Sequence, residues 1–306
     1  MFLKRTFSTV VLLCVFGAVI FAPSPWNNIV FFLLSVLLTF ALVREICDIV
    51  RNLGMETFKN LTALFCVVIT FLVNLFYYTL SSWDDFGRWM RNWLYTTFFI
   101  VFLCIAIAGP LFILFSKNSG EKIKKLFNSM GIAFFIMLPV LLILFIYIGG
   151  EENKIYYQQY KFNYYFLFFI LLTKIGDIGA YVVGTVSNKL MKGGNHKMVP
   201  SISPGKSWEG AAGGLIVTLL LALGFHFWRP EVIFVKTVSI SIITGILMFF
   251  GSMAGDLMES ALKRAAKVKD SGATIPGIGG VFDLVDSLFV TAPVAVLIVI
   301  LLKLSC

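Results

Sequence analysis

The sequence predicts an all-α polytopic integral membrane protein with about nine transmembrane helices and a cytoplasmic N-terminus. Hydrophobic residues occupy 59% of the 306 positions, and the mean hydropathy is +0.91. Only 13% of the residues are charged, which is about half the share typical of soluble domains. Apolar stretches also recur along the whole chain, many close to the roughly 20 residues that a helix needs to cross a bilayer. These observations outweigh the one or two soluble domains that length alone would predict.

Short polar segments separate the apolar stretches and set the boundaries of the predicted spans. The first two spans are short for a bilayer crossing. The predicted spans are residues 7–22, 29–43, 61–80, 93–115, 130–149, 162–184, 211–228, 234–255 and 288–303.

The first span also resembles a signal peptide. Lys4 and Arg5 precede its apolar core, and a polar break at Pro23–Pro25 follows it. The next stretch is again apolar and starts after a short loop, which favours an uncleaved span. Cleavage would leave the remaining topology unchanged.

The placement of lysine and arginine predicts which loops face the cytoplasm. With a cytoplasmic N-terminus, 17 of the 25 lysines and arginines fall on the cytoplasmic side, 7 on the opposite side, and Lys174 within a span. Positive residues concentrate on the cytoplasmic side of membrane proteins, so this bias supports the orientation. Loops 185–210 and 256–287 then face the cytoplasm together. The net charge of +9 also makes that face attractive to anionic headgroups and phosphates.

The composition changes near the middle of the chain, which predicts two regions. Residues 1–160 are loosely patterned apolar helices, to which we assign membrane packing, with lipid contacts or dimerisation as further roles. Within residues 161–306, polar side chains enter the spans and the loops become rich in glycine, as expected of a catalytic region. The 5 cysteines show no C-x-x-C spacing and the 2 histidines form no ligand pair, so we expect neither disulfides nor a zinc site.

The first polar break in the catalytic region is TKIGDIGAYVVG, residues 173–184. Lys174 and Asp177 are three residues apart and share a helix face. Ionisable groups within a span face a cavity or each other, because burying them in lipid costs roughly a few kcal/mol. A mutual ion pair that only stabilises the helices is one interpretation. Gly176 and Gly179 also favour close approach by a helix or a ligand.

The second polar break is the stretch SISPGKSWEG. Its Gly-Lys-Ser run resembles the end of a P-loop, but Pro200 occupies the position of the first glycine and excludes that motif. Lys206, with Ser203 and Ser207 beside it, precedes a span that starts near Glu209. A helix N-terminus and a lysine together can hold a phosphate. A basic loop with a capping serine is the alternative.

The third polar break begins with GSMAGDLMESALKR, residues 251–264. Its polar residues recur at i, i+3, i+4 and i+7, so one helix face presents two carboxylates, a hydroxyl and an ammonium. They are Asp256, Glu259, Ser260 and Lys263.

Two further acids, Asp283 and Asp286, lie one helical turn apart at the start of the last span. Carboxylates from two neighbouring helix ends repel each other unless a cation lies between them. Oxygen ligands on a cytoplasmic loop favour Mg²⁺, which keeps water and substrate phosphates as its other ligands. A solvated charged loop is the alternative, but it needs neither glycine pairs nor acids clustered at span boundaries.

These polar breaks form four motifs across residues 165–290. They are Asp177-x-Gly179-Ala180-Tyr181, Ser203-Pro204-x-Lys206-x-Trp208-Glu209-Gly210, Gly255-Asp256-Leu257-x-Glu259-Ser260, and the set Lys263-Arg264, Lys269-Asp270, Ile275-Pro276, Gly279-Gly280, Asp283 and Asp286. In this order they resemble the motifs of the phosphatidate cytidylyltransferases, also called CDP-diacylglycerol synthases. The chain departs from that family at Ile278, where histidine is usual, and at Leu284, where arginine is usual.

The resemblance implies an enzyme that joins CTP to phosphatidic acid with Mg²⁺, and it allows a second cation. The products would be CDP-diacylglycerol and pyrophosphate. It implies Asp256 and Asp286 as metal ligands and catalytic residues, with Glu259 as a further metal ligand. Lys263 and Asp283 complete the implied catalytic set. The residues assigned to substrate binding are Lys206, Ser203, Arg264, Asp177, Glu209, Lys269 and Ser260.

Two other functions fit parts of the pattern. One is another CTP-dependent polar-lipid enzyme, such as a polyprenol kinase or an archaeal-type lipid cytidylyltransferase. The other is a transporter that uses Lys174, Asp177 and Asp256. Transporters place their site near the membrane midplane between symmetric repeats, whereas this sequence shows no repeat and its polar residues cluster at the cytoplasmic ends.

The expected partners are CTP, phosphatidic acid and membrane lipid, with no nucleic acid. A homodimer is compatible with the sequence. The short chain predicts a bacterial inner-membrane protein whose site faces the cytoplasm, where CTP is available.

Overall fold

A computed structural model of the chain describes residues 2–80, 119–156, 163–230 and 232–304. In this part of the chain the helices are joined by loops, one of which contains a hairpin of two short strands. The helices are α1 (Phe2–Phe21), α2 (Trp26–Asn52), α3 (Lys59–Leu80), α4 (Ser119–Tyr156), α5 (Tyr164–Leu190), α6 (Trp208–Trp228), α7 (Val238–Ala265) and α8 (Val281–Leu304), with a 3₁₀ helix at Ile233–Val235. The antiparallel strands are β1 (Lys197–Val199) and β2 (Ser203–Ser207).

Within the described ranges, 6 helices are long and apolar enough to cross a membrane. The all-α membrane architecture that the sequence predicts is therefore confirmed. Two further apolar helical stretches, Thr6–Phe21 and Lys59–Leu75, are shorter. The predicted span 93–115 lies outside the described residues, so the total of nine stays a prediction. The six are Trp26–Asn52, Gly120–Gly149, Tyr164–Leu190, Trp208–Trp228, Val238–Ala265 and Val281–Leu302.

The helices extend further than the hydropathy pattern predicts. The loop predicted at 256–287 is helical up to Ala265 and again from Val281. The loop predicted at 185–210 is likewise shortened by α5 and α6, and it contains the β-hairpin. The physical reason is that hydropathy ends where the apolar surface ends, whereas backbone hydrogen bonds continue into polar turns. Asp256 and Lys263 consequently lie on helix α7, as their helical spacing predicted.

The chain forms two compact units. One consists of Met1–Asn27 with Pro139–Cys306, and the other of Asn28–Leu138. The first unit thus contains α1 and the second half of α4 in addition to α5–α8. The predicted division at residue 160 concerns functional roles and stays a prediction.

In the unit Asn28–Leu138, polar contacts connect the turn between α2 and α3 with neighbouring helices. Lys59 Nζ lies 2.5 Å from an Asp48 carboxylate oxygen, and Lys125 pairs with Glu56. The Phe58 backbone N–H donates to Ser129 Oγ over 2.8 Å. Both ion pairs are partly exposed, and exposed pairs contribute little to stability. The buried apolar side chains of α2, α3 and the first half of α4 therefore stabilise this unit more than its ion pairs do.

In the other unit, α1 contacts both the core and a loop. The Phe16 ring lies 5.9 Å from the ring of Phe166 on α5. Ser8 Oγ donates a 2.7 Å hydrogen bond to the carbonyl oxygen of Pro276, in the loop between α7 and α8. The start of α1 therefore lies at the same end of the unit as that loop.

Helix α5 begins at a buried asparagine that also contacts α4. Asn163 Oδ1 accepts a 3.0 Å hydrogen bond from the backbone N–H of Phe166, which caps the helix. Asn163 Nδ2 donates over 2.9 Å to the carbonyl oxygen of Tyr147. One side chain thus satisfies a free amide of α5 and connects the helix to α4.

We expect Asn163→Ala to lower the free energy of unfolding by about 1–2 kcal/mol, because both the cap and the contact with α4 are lost. Asn163→Asp keeps the capping acceptor and should fall between the parent and the alanine variant. Thermal unfolding of the purified protein in detergent measures these differences. Equal melting temperatures for the parent and Asn163→Ala would contradict the assignment.

Candidate active site

Polar side chains from three helices and the hairpin meet in the unit that contains α5–α8. Helix α5 contributes Asp177, strand β2 contributes Lys206, and α7 and α8 contribute Asp256 and Asp286. These four residues were predicted from separate stretches of the sequence. Their interactions bring all three polar breaks into one cluster.

A glycine lets α7 and α8 approach closely at this point. A methyl group added at Gly255 would lie 2.6 Å from the carbonyl oxygen of Asp286 and 2.7 Å from Ser287 Cα. Both are backbone atoms of α8, so no side-chain movement can relieve the contact. The absence of a side chain at Gly255 therefore brings Asp256, the next residue, close to Asp286.

The central feature is a pair of facing carboxyl groups, those of Asp256 and Asp286. The charge of Asp256 acts directly on Asp286. Lys206 Nζ is 3.2 Å from Asp256 Oδ2, and it also donates to the carbonyl oxygen of Met253 over 3.3 Å. Asp286 is only 7% exposed. Two carboxyl groups at such short range are stabilised by a cation between them or by a shared proton.

Lys174 supplies the second ammonium group of this cluster. Its Nζ lies 3.3 Å from Asp286 Oδ1 and 2.5 Å from Ser287 Oγ. Of the two interpretations of the first polar break, the ion pair between Lys174 and Asp177 is thus not the contact that forms. Asp177 instead accepts a 3.2 Å hydrogen bond from Ser252 Oγ, and the charges of Lys174 and Asp286 act on it at longer range.

A chain of hydroxyl groups that sequence reasoning missed supports these acids. Ser252 Oγ lies 2.9 Å from the carbonyl oxygen of Thr173, so its single hydrogen is shared between that oxygen and Asp177. Thr173 Oγ1 donates to Thr291 Oγ1 over 3.2 Å, and Thr291 Oγ1 donates to the carbonyl oxygen of Ser287 over 3.0 Å. The chain connects α5, α7 and α8. A spacing of four residues, between Ser252 and Asp256 and between Ser287 and Thr291, is the signal that would have found it.

A second cluster joins the end of α7 to the start of α8. Lys263 Nζ lies 2.6 Å from Glu259 Oε1 and 3.0 Å from Asp283 Oδ1. Glu259 is only 5% exposed, and it shares the ammonium group of Lys263 with Asp283. Lys263, Asp283 and Glu259 are thus brought together, but in a different cluster from Asp256 and Asp286.

Asp283 also holds the loop that precedes α8. It accepts hydrogen bonds from the backbone N–H groups of Gly280, over 2.9 Å, and of Ser271, over 3.3 Å. Gly279 has a φ of +132° and leaves no space for a side chain, because a methyl group there would lie 2.7 Å from Asp283 Oδ2. The glycines of this loop therefore allow the backbone to fold around one carboxylate.

The remaining predicted residues have separate surroundings. Glu209 accepts hydrogen bonds from the His196 backbone N–H over 3.1 Å and lies 2.5 Å from His196 Nδ1. Arg264 Nε donates over 3.4 Å to the carbonyl oxygen of Ile202. Lys269 is exposed on the loop, and Ser260 is half-buried on α7. None of these contacts includes Asp256 or Asp286.

A cavity of about 250 Å³ lies between α5, α6, α7 and the hairpin. Asp177, Lys206 and Asp256 line its polar part together with Ser203, and Phe249 is among the residues of its apolar part. The cavity therefore combines charged groups with an apolar wall, as a site for an amphiphilic molecule requires.

The carboxylate pair fits a Mg²⁺ ion that a substrate helps to bind. Within the described ranges, no group of three or more His, Cys, Asp or Glu side chains is placed to hold a metal ion. Mg²⁺ does not require such a group, because it is commonly held by one or two carboxylates plus substrate phosphates and water. Asp256 and Asp286 are such a pair. Glu259, predicted as a third ligand, lies with Lys263 in the second cluster.

Comparison with known proteins places the chain in a family. A model of the cytidylyltransferase family matches residues 3–302. A phosphatidate cytidylyltransferase of Staphylococcus saprophyticus is 31% identical over 289 residues, which cover 94% of this chain and 95% of that protein.

Two further relatives match over shorter segments. A phosphatidate cytidylyltransferase of Haemophilus influenzae is 39% identical over 138 residues, 45% of this chain and 46% of the relative. One from Staphylococcus aureus is 37% identical over 171 residues, 56% of this chain and 60% of the relative. The family model and the long Staphylococcus saprophyticus match both extend over nearly the whole sequence. The chain belongs to the cytidylyltransferase family.

Proposed function

We propose that this protein transfers the cytidylyl group of CTP to phosphatidic acid and forms CDP-diacylglycerol and pyrophosphate. The observation that carries the proposal is the Asp256–Asp286 pair, flanked by Lys174 and Lys206, beside a cavity between apolar helices. A lipid phosphate and a nucleotide triphosphate are both anionic, and one of them stays in the membrane. A charged cluster on membrane helices suits this combination of substrates.

In the proposed reaction, a phosphate oxygen of phosphatidic acid attacks the α-phosphorus of CTP. The new P–O bond forms as the bond between the α-phosphorus and the α,β-bridging oxygen breaks, and pyrophosphate leaves with that oxygen. Such transfers depend mainly on positioning the two phosphates and on neutralising their charge. The chain therefore needs cationic groups and rigid supports more than it needs a nucleophilic side chain.

Lys206 is placed to bind a phosphate oxygen in this reaction. Its side chain is 23% exposed and lines the cavity, so an arriving phosphate can replace Asp256 as its partner. Asp177 lines the same cavity and orients polar groups of the substrate. Phe249 offers an apolar surface to the glycerol and acyl part of the lipid.

We assign Asp256 and Asp286 as the residues that would hold Mg²⁺. When bound, the ion would neutralise charge on the triphosphate. Lys263, Asp283 and Glu259 act differently in this proposal. They fix the loop between α7 and α8. Helix α8 therefore begins in the place that brings Asp286 to the site.

We further propose that the N-terminus and the site both face the cytoplasm of a bacterial inner membrane. The bias of lysine and arginine supports this orientation. The hydrogen bond from Ser8 to Pro276 supports a common side for the two, since it places the start of α1 at the same end as the loop before α8. CTP would then reach the site directly from the cytoplasm.

The function is tested by incubating the purified protein in detergent with Mg²⁺, phosphatidic acid and CTP labelled on the α-phosphate. We expect the label to enter the lipid fraction as CDP-diacylglycerol, with one pyrophosphate released for each lipid formed. A parallel reaction uses CTP labelled on the γ-phosphate, whose label should leave with pyrophosphate.

Transfer of the γ-phosphate label to a lipid, with release of CDP, would identify a kinase and refute the proposal. Replacing phosphatidic acid with diacylglycerol is the matched substrate control, since diacylglycerol lacks the attacking phosphate. No labelled CDP-diacylglycerol should form from it.

A further inference from the structure

Lys174 is a charged residue within a predicted membrane span, and its contacts lie on another helix. Its ammonium group reaches from α5 to α8, where Asp286 Oδ1 lies at 3.3 Å and Ser287 Oγ at 2.5 Å. The backbone N–H of Ser287 also donates to Asp286 Oδ1, over 2.6 Å. Both donors use the same carboxylate oxygen, Oδ1, and together they fix the orientation of the Asp286 carboxyl group.

The surroundings hold this ammonium group in place. Ser287, Thr173 and Thr291 are fully buried, and hydrogen bonds connect the two threonines. The Asp286 side chain is 9% exposed and that of Lys174 is 33% exposed. Removing one partner of a buried ion pair leaves an uncompensated charge. Lys174 therefore holds the Asp286 carboxyl group in a fixed orientation when no other cation is bound.

The charges of the cluster nearly balance without a metal ion. Counted as formal charges, Asp177, Asp256 and Asp286 give three negative charges, and Lys174 and Lys206 give two positive charges. A divalent ion between Asp256 and Asp286 would therefore approach two ammonium groups in a partly buried environment. Repulsion between like charges is strong there, because the effective dielectric constant is lower than that of water.

We infer that Lys174 is the built-in counter-cation of Asp286, so that the resting protein binds a divalent ion weakly and acquires it together with the triphosphate of the nucleotide. Lys174 is thus a positioning residue that also weakens metal binding in the absence of nucleotide. The negative charge of a triphosphate would make the whole cluster strongly negative and so attract the ion. This inference rests on the proposed metal-dependent function and adds the order in which the ligands bind.

The test measures Mn²⁺ binding to the metal-free protein in detergent, with neither nucleotide nor lipid present. Free Mn²⁺ is followed by electron paramagnetic resonance. Lys174→Gln removes the charge but can still donate a hydrogen bond to Asp286 or Ser287. We expect it to bind Mn²⁺ at least about tenfold more tightly than the parent. Lys174→Arg keeps the charge and should bind Mn²⁺ as weakly as the parent.

Lys189→Gln is the matched control, because Lys189 is an exposed lysine on the same helix. It should leave the Mn²⁺ affinity unchanged. If the role of Lys174 were purely structural, Lys174→Gln would lower the Mn²⁺ affinity, since a displaced Asp286 would bind Mn²⁺ less well. Unchanged or weaker binding by Lys174→Gln would therefore overturn the inference.

The assay also separates this inference from the proposed function. If neither the parent nor Lys174→Gln binds Mn²⁺, the metal site and the inference are both wrong. If all variants bind Mn²⁺ equally, the inference alone is wrong, and the transfer reaction is unaffected. If Lys174→Gln binds tightly while no CDP-diacylglycerol forms in the transfer assay, the inference about Lys174 stands without the proposed reaction.

Discussion

Replacing Asp286 with asparagine is expected to lower the CTP-dependent formation of lipid product by more than about a hundredfold. Loss of a residue that only supports a metal ligand already costs about 10–100-fold, and Asp286 is proposed as a ligand itself. The amide oxygen can still accept hydrogen bonds from Lys174 and from the Ser287 backbone, so the helix contacts should persist. The variant should therefore be recovered from the membrane in normal amount and with a normal elution profile in detergent.

Asp48→Asn is the matched control for this prediction. Asp48 is also paired with a lysine, Lys59, at 2.5 Å, but it belongs to the unit Asn28–Leu138 and its side chain is 54% exposed. Product formation by Asp48→Asn should equal that of the parent. Near-normal turnover by purified Asp286→Asn would show that Asp286 is not a metal ligand.

Helical spacing correctly predicted which residues share a helix face. Glu259 and Lys263, four residues apart, do form an ion pair. The same spacing argument could not predict that Lys263 also contacts Asp283, because that contact depends on how α8 packs against α7. Local spacing determines a face, whereas tertiary packing determines the partner.

Lys174 shows the same difference. The spacing of three residues favours a contact with Asp177 on the same helix. A lysine side chain is long enough to reach a neighbouring helix, and the close approach of α8 offers Asp286 and Ser287 within that reach. The sequence contains no direct signal for this choice. It depends on how the four helices pack together, and Gly255 allows α7 to approach α8 while Gly176 allows α5 to approach α6 and α7.

The span boundaries were predicted least well on the side of the polar loops. Helix α7 continues ten residues beyond the predicted end at 255. Its final turns carry Glu259, Lys263 and Arg264, which lower the local hydropathy while the backbone remains helical. A hydropathy pattern predicts which residues lie in the lipid, but it does not predict where the helical backbone ends.

Gly255→Ala is expected to lower product formation by about a hundredfold and the free energy of unfolding by roughly 1–3 kcal/mol. The added methyl group would lie 2.6 Å from the carbonyl oxygen of Asp286 and 2.7 Å from Ser287 Cα. Since both are backbone atoms, α7 and α8 must separate by nearly 1 Å to reach ordinary van der Waals distances. That separation moves Asp256 away from Asp286 and weakens the binding of any ion that the two carboxylates hold.

Gly224→Ala on α6 distinguishes this steric effect from a general effect of replacing a helical glycine. A methyl group at Gly224 would have no atom within 4 Å, and alanine favours the helix by about 0.5–1 kcal/mol. This variant should melt at the same or a higher temperature than the parent and keep full activity. If Gly255→Ala behaved in the same way, the two carboxylates would not depend on the close approach of α7 and α8. The opposite responses of two helical glycines would show that the distance between these helices determines the geometry of the site.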